Sequence, residues 1–220
     1  MKIHAVLKPY CNLMQDIKIR TDAMIKLAKN RSRLPEVVLI ESQQLQIRMI
    51  SETLALACLF VHGDVKGARS ARLTKAYQAD FIMNALENLH PRFYPRPTNQ
   101  IIREGKPVGI EDIKDDFLTK DEMLKSYREA ASFLHVGNLN DLLANETAVN
   151  DHQAVSTWLK RLIRLLNHHC IYIADDPEYH ASPLRFTGGE PAPQFQIIVQ
   201  MRTGYDDYPQ ATVFQSIGQA

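Results

Sequence analysis

A mainly α-helical fold is predicted: an antiparallel bundle of about five helices followed by a small C-terminal antiparallel β-hairpin or three-stranded sheet. Three observations predict it. The eleven prolines leave residues 36–90 and 108–176 without one, and proline is excluded from helix interiors because it removes a donor and clashes with the preceding turn. Apolar residues in those stretches recur at helical spacing. After residue 170 the composition changes to β-formers separated by turn chemistry.

The first helix is expected from about Pro9 to Lys29, with Leu13, Ile17, Met24 and Leu27 among its apolar positions. The second starts near Pro35, a good first-turn residue, and runs to about Val61, where Gly63 is placed to stop it. The third covers about Ser70 to Leu89 and must end before Pro91. A capping box, Thr119 with Glu122, opens the fourth, which ends near His135. The fifth runs from about Asn150 to Asn167 with an apolar face of Val155, Trp158, Leu159, Leu162, Leu165 and Leu166. Phe195–Met201 and Ala211–Ile217 then read as the two strands of a hairpin, and Ile171–Ile173 as a third. This divides the chain into a helical bundle, 1–170, and a β appendage, 171–220. A lone hairpin is marginal, so it should pack on the helical body or on a partner.

With 26 basic and 25 acidic residues in 220, the net charge is +1, so no global field attracts nucleic acid or anionic lipid. The longest apolar run, Leu54–Val61, falls well short of the ~20 residues of a membrane helix, and no membrane association is expected. Residues 1–4 begin no signal-type apolar run. Cys11, Cys58 and Cys170 stand alone and odd in number, as reduced thiols of a cytoplasmic protein do.

The second helix carries the first candidate site. Glu41, Gln44, Arg48 and Glu52 fall within an arc of about 80° on a helix that is otherwise largely apolar. A helix greasy nearly all round is normally buried. Its polar strip then lines a cleft or finds partners, because unpaired burial is costly. The plainer reading is a solvent-facing stripe with Arg48 and Glu52 as a surface pair. A second candidate is the segment from Tyr127 to Asn138, in which Arg128 and His135 lie two turns apart on one helix face. An arginine holds a phosphate through a bidentate fork, and a histidine moves a proton near neutral pH. Alternatively, both residues suit a helix C-terminus through the macrodipole.

Four to five antiparallel helices with an Arg-x4–6-His element resemble the HEPN superfamily, and Arg128 and His135 fit that element with six residues between them. The stretch from Glu41 to His62, then Leu89–Pro97 and Phe133–His135, also resembles uncharacterised bacterial helical proteins of toxin or defence type. The resemblance covers roughly residues 10–170. It implies either a metal-independent RNase or RNA-binding effector, with Arg128 on the scissile phosphate, His135 moving the proton and Asn138 positioning the substrate, or a non-catalytic relative. It also implies a homodimer. Active members usually carry Asn, Asp or His after the arginine; here it is Glu129, whose charge would repel a phosphate.

In the loop from Pro91 to Pro97, Arg92, Tyr94 and Arg96 interleave basic and aromatic groups as single-stranded RNA sites do. The alternative is a stiff proline loop whose Phe93 and Tyr94 plug the core. His168, His169 and Cys170, with His152 and His180, lack the paired spacing of a structural metal site. Phosphate loops, GxSxG and HExxH are absent, and no metal or cofactor is expected. The sequence thus predicts a helical module that binds a protein partner, with RNA cleavage through Arg128 and His135 as the alternative.

Overall fold

Helices α1 (His4–Lys29), α2 (Glu36–Val61), α3 (Ala79–Leu89), α4 (Lys120–Phe133) and α5 (His152–Leu166) alternate with strands β1 (Arg96–Arg103) and β2 (Lys106–Asp112), and β3 (His168–Ile173), β4 (Phe195–Gln200) and β5 (Gln210–Gln215) follow. The computed structural model describes residues 4–29, 33–63, 68, 70–134, 152–173, 195–200 and 209–215. The class is the one predicted: mainly α, with an antiparallel sheet.

Helix boundaries follow local chemistry. Pro9 lies inside α1, just past its first turn and not at its start, where it removes one helical N–H bond and sets its ring against the preceding turn. In the capping box of α4, the Thr119 hydroxyl accepts from the Glu122 amide while the Glu122 carboxylate accepts from the Thr119 amide. α3 begins at Ala79, nine residues after the expected start at Ser70. There Ser70 makes a turn of its own, its carbonyl accepting from the Thr74 amide and its hydroxyl from the Leu73 amide. Side-chain bonds of this kind hold a chain in turns.

One buried cluster joins all five helices. It contains Tyr10, Met14 and Ile17 of α1, Ile50 and Leu54 of α2, Ile82 and Leu86 of α3, Met123 and Leu124 of α4, and the whole predicted face of α5. α2 is the central element, packing on α1, α3 and α4. By length and composition it could cross a membrane, and half of its most apolar stretch is buried within the fold.

The sheet extends beyond the three strands expected at the C-terminus. Those strands, β3, β4 and β5, pair antiparallel in sequence order, and β1 and β2 extend them to the order β2-β1-β3-β4-β5. The predicted proline loop therefore ends as strand: Arg96 and Pro97 pair with Cys170 and His169. The boundary placed at residue 170 falls inside β3, and Ile171 and Val199 belong to the same buried cluster as the helices. Glu104 and Gly105, with φ of 51° and 74°, form the tight β1–β2 turn. Two successive positive φ values are the signature of a type I′ hairpin, whose twist matches that of the strands.

Candidate functional site

The strip on α2 divides along its length. Glu41 is exposed and Gln44 half-buried. Arg48 and Glu52 are half-buried and form an ion pair of 3.2 Å, their side chains 32% and 15% exposed. Tyr127, from α4, donates its hydroxyl to the same Glu52 oxygen at 3.2 Å. Burial first, then the neighbouring Glu52 charge, raises the Tyr127 phenol above its ordinary value. A neutral phenol and a guanidinium thus converge on one carboxylate, fastening α4 to α2. The strip is neither fully buried nor merely solvated. Its partner across 75 residues of chain has no signal in the sequence.

On α4, Tyr127 and Ala130 face the core while Arg128 and Glu129 face solvent. Lys125, one turn before Glu129, lies 3.8 Å from its carboxylate. His135 and Asn138, the other two members of the expected catalytic set, lie outside the described residues, as does His180.

The segment from Pro91 to Pro97 fills the core and brackets a strand residue. Phe93 is buried, and Tyr94 donates its hydroxyl to the Leu118 carbonyl. The guanidinium carbons of Arg92 and Arg96 each lie 4.4 Å from the ring centroid of Tyr172 on β3. Arg96 also bonds Asp112 at 2.6 Å. The aromatic groups of this segment are therefore engaged within the fold, and the tyrosine that meets both arginines is one the sequence did not single out.

Around β3 sits a set of buried histidines. His169 Nδ1 lies 2.9 Å from the Leu166 carbonyl and Nε2 lies 2.8 Å from the Tyr10 hydroxyl. A carbonyl only accepts, so Nδ1 carries the proton and the tyrosine donates to Nε2. Burial pushes His169 down to about 4. His168 Nδ1 meets the Thr98 hydroxyl, and His62 spans the carbonyls of Cys58 and Tyr172. Burial lowers both below the ordinary imidazole value. The three cysteines are buried thiols outside any disulfide, and burial raises Cys170 to about 11, far from a nucleophile's range. Among the described residues no three His, Cys, Asp or Glu side chains converge as a metal site.

What the described surface does offer is the β1–β2 arm. Only Arg96 and Pro97 of β1 pair with β3, whereas Thr98–Arg103 pair with β2 alone. Residues 99–106 are exposed throughout. Ile102 and Val108 are 61% and 55% exposed, and Ile101 sits beside Gly109 across the ladder. At the tip Arg103 and Lys106 flank Glu104, for a net charge of +1, and near the root Asp112 is paired with Arg96 while Glu111 is exposed. No protein-family model, curated protein or solved structure matches the chain.

Proposed function

We propose that the chain is a non-catalytic helical interaction module that holds a partner protein through the β1–β2 arm. The observation that carries this reading is a two-stranded arm standing clear of its sheet with Ile101, Ile102 and Val108 outward. A hairpin alone is marginal in water, and exposed apolar strands are a liability that proteins cover or charge. The register slips between Ile101 and Ile102, and Pro107 gives β2 a residue with no N–H to donate. Both features blunt the edge against strand addition. Docking through the side chains of the arm fits better, against an apolar slot with carboxylates facing Arg103 and Lys106. A second copy of the chain is one such partner, and the resemblance-based expectation of a homodimer is tested along with it.

The test compares the wild type with an Ile102→Asp/Val108→Asp variant. Both positions are exposed, so the melting temperature should hold. Sedimentation velocity reads self-association, and affinity capture in the source cell reads other partners. The variant should lose whichever association the wild type shows, and Lys106→Glu should weaken it. Equal association by wild type and variant would refute the reading.

A second reading keeps RNA cleavage, favoured by one observation: Arg128 faces solvent, and Lys125 partly offsets the adjacent Glu129 charge. It requires cleavage of single-stranded RNA in EDTA, none of DNA, and loss in both Arg128→Ala and His135→Ala. Glu129→Asn should raise the activity. Intact RNA with wild type and Glu129→Asn alike would remove this reading.

A further inference from the structure

A cleft of about 520 Å3 opens between the end of α1, the start of α2 and one side of α5. Its size lies within the range of sites that take small organic molecules. The floor is largely apolar, built from Ile25, Leu39, Val155 and Leu159 with the buried Gln43 beside them, and Ile163 lies at its exposed edge. Lys29 and Lys160 stand at the lining, both exposed, and neither has an ion-pair partner among the described residues. The carboxylate of Glu36 is bonded to His152, 2.5 Å away, and Glu36 is not among the residues that line the cleft. An apolar floor under two cationic side chains selects a particular ligand chemistry. The floor rewards an aliphatic chain by the surface it removes from water. The lysines lay their own methylene stems along such a surface and keep their ammonium groups at its edge, where an anionic head would sit. A cationic head would be repelled, and a neutral one would gain nothing from them.

We propose that this cleft binds an aliphatic carboxylate of medium chain length, with the chain along Leu39 and Leu159 and the carboxylate between Lys29 and Lys160. This site is separate from the β1–β2 arm and does not depend on the arm's role.

Titration calorimetry on the full chain with decanoate, below its micellar concentration, tests the assignment. Decanoate should bind one-to-one and saturably, while decanol and decyltrimethylammonium bind at least tenfold more weakly. Lys29→Glu and Lys160→Glu, both at exposed positions, should together weaken decanoate at least tenfold with the melting temperature unchanged. Ala28→Trp places an indole at the mouth from an exposed lining position, and should abolish binding while circular dichroism shows the helices intact. Equal affinity for the three amphiphiles would mean adsorption to apolar surface and would overturn the proposal. So would the absence of saturation, or decanoate binding unchanged by the charge reversals.

Discussion

Acid should destabilise this protein through His169 by an amount that one substitution isolates. The imidazole is fully buried, and its native-state value of about 4 lies below the 6.5 of an unperturbed histidine. The unfolded chain therefore takes up a proton between pH 6.5 and 4 that the native state refuses, and stability falls as pH falls through that window. At ~1.4 kcal/mol per pH unit the loss is about 3 kcal/mol by pH 4, and the contribution is fully present above pH 6.5. The structural cause is specific. A proton on Nε2 would place an N–H against the Tyr10 hydroxyl that now donates to it, while Nδ1–H is already committed to the Leu166 carbonyl. His169→Phe removes the titrating group and strands the Tyr10 hydroxyl, which is buried, at ~1–3 kcal/mol. The wild type should thus be the more stable at pH 7, and the variant should equal or exceed it at pH 4. Urea melts of both proteins at pH 7, 6, 5 and 4 give the difference directly. Every other group is common to the two proteins, so its contribution cancels in the difference. A difference that stays constant across the window would show that His169 is not held neutral, and would refute the tautomer assignment with it.

Three further outcomes are expected. Arg48→Ala should cost about 1–2 kcal/mol in a urea melt, between the exposed-pair and buried-pair limits, because Glu52 is half-buried but keeps Tyr127. Glu104→Asn should raise stability by about 0.5 kcal/mol, since asparagine tolerates the positive φ of the β1–β2 turn better than glutamate does; a loss in a thermal melt would contradict the turn assignment. A chain ending at Asn167 should keep helical circular dichroism but melt broadly, because Tyr10 and His62 lose buried partners on β3. A sharp transition near the wild-type temperature would show instead that residues 1–167 form a self-sufficient body.

The helices were legible because their signals are local. A capping box spans four residues, and the α5 face repeats within its own helix, so both could be read without knowing what packs on them. The β1–β2 arm was not legible for equally local reasons. Pro97 and Pro107 interrupt the donor pattern of a strand, and the register slip at Ile101/Ile102 breaks the two-residue alternation. Glutamate occupies a turn position where asparagine or glycine would have announced a hairpin. The same limit applies to the polar network. The spacing of Arg48 and Glu52 on one helix face was visible in sequence, whereas Tyr127 reaches Glu52 only because α4 packs on α2.

β3 shows how a strand turns adjacent residues to separate tasks. Side chains alternate along a strand, which is why the run of His168, His169 and Cys170 does not assemble as a ligand set. His169 and Ile171 turn to the bundle, where they meet Tyr10 and the buried cluster. His168, Cys170 and Tyr172 share the opposite side, where Thr98, Arg96 and Arg92 meet them from β1 and the segment before it. One side of β3 thus fixes the sheet to the helices through a neutral histidine. The other anchors the root of the arm through an arginine that touches Tyr172 and bonds Asp112 on β2. Anchoring at the root fixes the direction in which the arm leaves the sheet. On the proposed docking role, an arm fixed in this way would present Ile102 and Val108 to a partner without having to order them first, and preorganisation of that kind lowers the entropic cost of binding.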